Sequence, residues 1–285
     1  MGISRQQALD CLRSDDLIGM GMEADALRRQ LHPEGVVTYR CVYDVDVADP
    51  IGSYPHAAGA LRVHCSDLSK SPQVTEFCRS ARSFSGEAWI EVCLSGSAVA
   101  DSRVRDEIAR WAACGINSIT ADTRKTIGDL NQAFAALLTL HRAAHALGMR
   151  TVVGIPFGGG EPFAVRLDLL DSVRQLQEET GGFVALVPQA LDDPAGRELD
   201  SATSVERLKM LAVARMYVDS IPHIQSPQVG AGLKVLQTGL RFGADDTELR
   251  LPQRGVTEPE LRRVIRDAGF LPVERDGAYA TVFLS

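Results

Sequence analysis

One pattern of apolar and polar positions recurs along the chain. An amphipathic helix ends at a glycine, and a short apolar run follows at once. Asp101 is placed to cap a helix carrying Val104, Ile108, Trp111 and Ala112 on one face. Gly115 stops that helix, and Ile116 to Thr120 reads as a strand. A second helix, about 128–147, stops at Gly148 before Thr151 to Ile155. A third turns Val165, Leu169, Val173 and Leu176 inward, stops at Gly181 and leads into Phe183 to Val187. Glycine takes the left-handed conformation without a Cβ penalty, so it turns the chain back toward the next strand.

Strand starts near 88, 116, 151 and 183 are separated by 28, 35 and 32 residues, each the length of a strand plus a crossover helix. The strands are continuous apolar runs, as in a parallel sheet covered on both faces. Val36–Val42 and Ala60–Cys65 read as two earlier strands. No GxGxxG opens the first unit, so the pattern predicts an α/β fold, a partial or complete parallel β/α barrel of about six strands. Residues 4–31 read as one or two short helices broken at Gly19 and Gly21. Helices at about 203–218 and 229–242 follow the sixth strand and close one side. A helix near 258–268 leads into an extended end, Pro272 to Leu284. No low-complexity linker interrupts the chain. A single domain over 1–285 is expected, with a helical segment at 1–35 and a C-terminal extension at 244–285.

Composition narrows the function. The 285 residues hold 30 Lys and Arg against 37 Asp and Glu, a formal net charge of -7. That balance argues against sequence-independent nucleic-acid binding, which needs a basic footprint. No apolar run approaches the roughly 20 residues a membrane span needs. The start MGISRQQALD has no basic-then-apolar signal segment, and Gly2 lacks the Ser or Thr that completes a myristoylation site. A cytoplasmic location is expected. The six cysteines, at 11, 41, 65, 78, 93 and 114, have no close CxxC-type spacing. Reduced, mostly buried thiols are expected, and no metal site.

Reactive groups in parallel β/α folds gather past the carboxyl ends of the strands. Those positions hold Asp44 and Asp46, then His64, Ser66 and Asp67, then Asp122, Thr123, Arg124 and Lys125, then Gly158 to Glu161, then Pro188 and Gln189. Arg124 and Lys125 suit a carboxylate, and Asp122 suits a ligand hydroxyl. A solvated helix-entry loop has the same composition. The candidates for acid/base work are His64, Asp122 and Glu161, and for ligand binding Asp67, Arg124 and Gln189. Gly158–Gly160 offers backbone N–H groups to an anion but lacks the Lys and Ser/Thr of a P-loop. His141 and His145 are spaced i, i+4, yet residue 142 is Arg, so this is not HExxH. On an outer helix both histidines are expected to face solvent.

Three blocks are recognisable. The first runs Ala24-Asp25-Ala26-Leu27-Arg28-Arg29-Gln30-Leu31-His32-Pro33-Glu34-Gly35-Val36-Val37-Thr38-Tyr39. The second runs from Leu176-Gln177-Glu178-Glu179-Thr180-Gly181-Gly182-Phe183 to Val187-Pro188. The third joins Ala214-Arg215, Asp219-Ser220-Ile221-Pro222-His223-Ile224-Gln225 and Leu240-Arg241-Phe242-Gly243-Ala244-Asp245-Asp246. In order and spacing they resemble the radical-SAM group of dehypoxanthine futalosine cyclase, aminofutalosine synthase and the FO synthases. Good matches cover roughly half the chain, and 40–149 matches poorly.

The resemblance implies a radical-SAM barrel and a place in the futalosine route to menaquinone. It also implies a CxxxCxxC after the first strand, whose thiolates hold a 4Fe–4S cluster that cleaves S-adenosylmethionine. Here Cys41-Val42-Tyr43-Asp44-Val45-Asp46-Val47-Ala48-Asp49-Pro50 stands in its place. Phe157-Gly158-Gly159-Gly160-Glu161 replaces the family's Gly-His-Val-Glu turn, and Thr247-Glu248-Leu249-Arg250-Leu251-Pro252 replaces a cavity segment. The expectation is a degenerate, cluster-less relative without a cofactor, acting as partner of an active enzyme or binder of a pathway intermediate. Cluster-free binding of S-adenosylmethionine stays open. The alternative is a cluster-independent barrel enzyme doing acid/base or lyase chemistry on a small anionic or nucleoside-like substrate.

Overall fold

The structure, a computed structural model, describes residues 2–50, 53–55, 59–95, 97–124, 129–192, 202–227, 231–252, 256–279 and 282–283. Helices α1 (Arg5–Arg13) and α2 (Leu17–Leu31) open the chain. Then come β1 (Val36–Val45), β2 (Ala60–Cys65), a short 3-10 turn (Leu68–Lys70), α3 (Ser71–Ser85), β3 (Trp89–Leu94), α4 (Ser97–Ala100), α5 (Val104–Ala113) and β4 (Ser118–Ala121). The middle holds α6 (Leu130–Ala146), β5 (Thr151–Phe157), α7 (Phe163–Thr180), β6 (Phe183–Ala190) and α8 (Ser204–Tyr217). The end holds β7 (His223–Ile224), α9 (Gly232–Gly239), β8 (Asp246–Leu251), α10 (Glu258–Asp267), β9 (Leu271–Arg275) and β10 (Val282–Phe283).

The helix–glycine–strand pattern holds. Gly115, Gly148 and Gly181 leave their helices at φ of 90°, 78° and 62°, a conformation that favours glycine. The break expected at Gly19 and Gly21 lies elsewhere. The chain turns at 14–16, and Asp16 caps α2 by accepting from the Gly19 amide at 2.8 Å. Gly21 sits inside α2 because a Cβ there would meet the Phe242 ring at 3.0 Å. Residue 128 of the second predicted helix lies outside the described residues. So do 229 and 230 of the predicted 229–242 helix, and Leu284 of the extended end.

β1 to β4 pair in parallel in chain order, and β5, β6 and β7 form a second parallel set. Two parallel strands beyond the six expected complete the ring. β8 pairs with β1 from Thr38↔Asp246 to Tyr43↔Leu251, and the Gln225↔Asp246 bridge ties β7 to β8. Among the described residues no ladder joins β4 to β5, although Ser118 Oγ donates to Arg150 O across that seam at 2.7 Å. β9 adds in parallel to the start of β1 and carries antiparallel β10.

Leu61, Val63, Ile90, Val92 and Leu94 are fully buried beneath the outer helices. Burying each contributes about 1.5–3 kcal/mol. Trp111 of α5 is buried too, its Nε1 donating to Ser71 Oγ at 3.1 Å. Helices α1 and α2 pack on α8. No helix among the described residues is long and apolar enough to cross a membrane.

Candidate functional site

Strand alternation sends every second residue into the ring. In this barrel the inner positions of β1, β2, β3 and β8 carry most of the charge, and the charged groups form three layers. At the strand starts, Asp246 accepts from Thr38 Oγ1, Gln225 Nε2, Tyr279 OH and Arg275 Nε and Nη2, each at 2.7 Å. Above it lies a neutral quartet of Arg40, Arg62, Glu91 and Glu248. Glu91 accepts from Arg40 Nη2 at 3.0 Å and Arg62 Nε at 2.5 Å; Glu248 accepts from Arg62 Nη2 at 2.6 Å and also from Arg40. Burial opposes the charge on Glu248, but Arg62 and Arg40 hold its carboxyl well below the usual range. A buried charge persists only when paired in this way.

The third layer opens at the carboxyl ends of the strands. His64 Nε2 donates to Asp44 Oδ1 at 2.9 Å, and Arg250 Nε lies 2.8 Å from Asp44 Oδ2. The hydrogen bond to Asp44, with help from the neighbouring Cys93, pushes the His64 imidazole up to about 9. It is an imidazolium near neutral pH. Burial opposes ionisation of Asp44, yet the bond from His64 and the charge of Arg250 hold it below its usual value. Arg124 forks onto Asp122 through Nε at 2.9 Å and Nη2 at 2.7 Å. Gln189 Oε1 accepts from Thr123 Oγ1 at 2.6 Å, in space that exists because residue 154 is Gly, where a Cβ would sit 2.8 Å from that oxygen.

These groups surround a cavity of about 80 Å³ that opens to solvent. Its charged lining is four arginines (Arg62, Arg124, Arg207, Arg250) against three carboxylates (Glu91, Asp122, Glu248). Cys93, Gln189 and Gln225 also line it. Asp44, beside the cavity, pairs with Arg250, and Arg62 pairs with Glu91 and Glu248.

Asp122, Arg124 and Gln189 thus line one cavity, and His64 stands beside it. Asp67 does not join them: it is the exposed cap of the 3-10 turn, accepting from Ser69 N at 2.8 Å. Glu161 is committed elsewhere, accepting from buried Arg166 Nε at 2.5 Å and from the amides of Gly158 and Gly159 at 2.9 and 2.8 Å. That glycine turn closes on its own acid. Lys125 lies outside the described residues. His141 is buried rather than solvent-facing, and His145 is half-buried. Thr151 Oγ1 bridges His141 Nδ1 at 2.9 Å and His145 Nε2 at 2.8 Å, and both rings pack edge-on to Phe183. Burial pushes them down to about 3 and about 4, so both are neutral structural groups.

Strand-end reading misses Arg40, Arg62, Glu91, Cys93, Glu248 and Arg250, which lie within strands. The signal was available: charged residues at alternate positions of strands covered on both faces must point into the ring and pair there. A further cluster sits at the opposite end. His32 Nε2 and His223 Nδ1 lie 3.2 and 2.5 Å from Asp245 Oδ2, while Arg215 holds the other oxygen. Burial opposes the charge of Asp245, and Arg215 and His223 hold it down to about 2. These residues belong to the recognisable blocks and pin the strand starts.

No protein-family model matches the chain. Aminodeoxyfutalosine synthase of Thermus thermophilus is 36% identical over 164 residues, 51% of this chain and 44% of that enzyme. Cyclic dehypoxanthine futalosine synthase of Streptomyces coelicolor is 31% identical over 182 residues, 59% of this chain and 45% of that enzyme. The chain therefore matches less than half the length of either relative. Its homologues include the futalosine-pathway radical-SAM enzymes that the three sequence blocks resemble. Methylornithine synthase (PylB) superposes with a TM-score of 0.72 at 12% identity, over 95% of this chain and 94% of that one. That likeness establishes the fold, a parallel α/β barrel shared with PylB.

The donors at this barrel mouth do not fit the 4Fe–4S cluster that the resemblance implies. No cysteine follows β1 before Cys65. Cys41 shares its strand face with Tyr39, which reaches outward to Glu258 of α10, and Cys65 shares its face with outward Leu61 and Val63. Cys93 lines the cavity, and Cys41 and Cys65 face the other side of the sheet.

Proposed function

We propose that this chain is a cluster-less relative of the futalosine-pathway enzymes, and that its barrel mouth binds a small anionic molecule of that route. The observation that carries this reading is that two guanidiniums, Arg124 and Arg250, line an open cavity at the barrel mouth. Arg124 and Arg250 supply fork-shaped donors for a carboxylate, while Gln189 and Gln225 supply neutral polar groups. Support for a scaffold without radical chemistry comes from the donor set, which offers the mouth one sulfur where a cluster needs three. The blocks shared with the homologues build strand starts and helix packing, as with Asp245 held by Arg215.

A panel of pathway-related aromatic carboxylates, a nucleoside and S-adenosylmethionine, measured by thermal shift, tests this reading. A carboxylate at one hundred times its dissociation constant should add about 2.7 kcal/mol of stability. Stabilisation by the nucleoside and S-adenosylmethionine but by no carboxylate would contradict it. Anaerobic reconstitution with iron and sulfide should leave the protein colourless, and a reproducible iron–sulfur absorption band would contradict the cluster-less reading.

The His64–Asp44 pair favours acid/base chemistry as a second reading. A histidine pushed up to about 9 delivers a proton at neutral pH. A bound ligand that is converted to product, with loss of conversion in His64→Asn, would select this reading over simple binding.

A further inference from the structure

We propose that Cys93 is the cavity's nucleophile, positioned by His64, and that it captures carboxylate-bearing carbon electrophiles covalently. The proposal rests on the anion-binding reading above for its ligand class, but the thiol assignment rests on separate geometry. Asp44, His64 and Cys93 stand on three adjacent strands, β1, β2 and β3, and all face into the ring. His64 and Cys93 are direct register partners across the β2–β3 ladder, and His64 donates to Asp44 at 2.9 Å. A nucleophile, a histidine beside it and a carboxylate orienting that histidine make the arrangement on which thiol and hydroxyl nucleophiles are built on many folds.

The surroundings of the sulfur separate it from the other cysteines. Arg62 and Arg124 lie close enough to interact with Cys93 electrostatically, and His64 is in contact with it. The carboxylates nearby are each engaged by a cation: Asp44 by His64 and Arg250, Asp122 by Arg124, Glu91 by Arg40 and Arg62. Reactive cysteines occupy electropositive sites with ligand access, and inert ones are buried in apolar or acidic surroundings. Cys41, Cys65 and Cys78 belong to the second kind, burial pushing them up to about 12, 11 and 12. Cys93 is 3% exposed, and it lines the cavity.

The step is a substitution. The sulfur lone pair forms the S–C bond, the carbon's leaving group departs with the electron pair of the bond that breaks, and the thiol proton passes to solvent. Arg124 and Arg250 hold the carboxylate while the carbon meets the sulfur. No oxidant or reductant enters.

Iodoacetate serves as the anionic electrophile and iodoacetamide as its neutral counterpart. Iodide is the leaving group in both. The folded, full-length chain is treated briefly at neutral pH, and each cysteine's modification is read by peptide mass spectrometry. Carboxymethylation of Cys93 should outpace that of Cys41, Cys65 and Cys78 in the same molecule by at least about tenfold. The ratio should fall about tenfold in His64→Asn and also in Asp44→Asn, which keeps the imidazole in place. Since the three other thiols report on folding within the same sample, a merely unfolded variant raises all rates together. Reaction at Cys93 no faster than at the other three, or a ratio unchanged in both variants, would overturn the nucleophile assignment. Equal rates at Cys93 with the two reagents, with the His64 dependence intact, would overturn the carboxylate class and the anion-binding reading beneath it.

Discussion

The middle layer of the barrel and its mouth use the same residue types for opposite ends. In the middle, Arg40, Arg62, Glu91 and Glu248 cancel, and every carboxylate accepts from two guanidiniums. At the mouth, Arg124 and Arg250 share their carboxylates with solvent-facing space, and Arg207 and the His64 imidazolium add positive charge. A neutral, saturated cluster has nothing left to offer a ligand; its energy is spent in holding four strands in register. The pairs at the mouth open onto a cavity, so a ligand can reach their guanidiniums. The difference between scaffold and site in this protein is therefore one of access rather than of residue type.

Substitutions in the two layers should separate accordingly. The largest effect is expected from Glu91→Gln, which leaves Arg40 and Arg62 facing one carboxylate in a buried layer. Chemical denaturation should show a loss of about 3–5 kcal/mol, the cost of an uncompensated buried charge. A loss below about 1 kcal/mol would mean that the quartet is not a structural element.

Smaller and pH-dependent is the contribution of His64. Its folded value, about 9, stands above the ordinary 6.5, so its stabilisation is complete below pH 6.5 and disappears as the pH rises through 9. Because the side chain is 34% exposed, the discounted size is about 1–2 kcal/mol. Denaturation midpoints of the wild type should fall between pH 6.5 and 9, and those of His64→Asn should not. Asp44 is shifted the other way, and its contribution is lost only as acid protonates it below its ordinary range. The smallest effect is expected at the exposed Arg142–Glu179 pair on the outer helices. Arg142→Ala should leave the melting temperature within error, as exposed pairs usually do.

The sequence carried the ring more clearly than the site. Gly115, Gly148 and Gly181 mark helix exits because few other residues take their φ, so strand starts near 116, 151 and 183 follow directly, against observed starts at 118, 151 and 183. β7 escaped because two residues, His223 and Ile224, show no period. β8 escaped for a different reason. Asp246-Thr247-Glu248-Leu249-Arg250-Leu251 alternates like a half-exposed strand, yet its polar face lies inside the ring. The same masking hid Arg40, Arg62 and Glu91. At the mouth, Asp122, Arg124 and Gln189 line the cavity because loops past the strands face that end. Asp67 and Glu161 occupy equivalent chain positions but satisfy nearby backbone amides, a choice that depends on local turn geometry. His141 was read as exposed because Thr151 and Phe183, which receive it, are distant in the pattern.

Calorimetric titration of the folded protein with an aromatic carboxylate that stabilises it, repeated on Arg124→Ala and on Arg142→Ala, tests the ligand role of the mouth. Wild type and Arg142→Ala should bind alike. Arg124→Ala should bind about 1.5–3 kcal/mol more weakly, the value of a charge-assisted contact. Its denaturation midpoint should fall because Asp122 loses its partner, so binding is compared at a temperature where all three proteins are folded. Equal affinity in all three proteins would contradict the assignment of the arginine-rich mouth as the binding site.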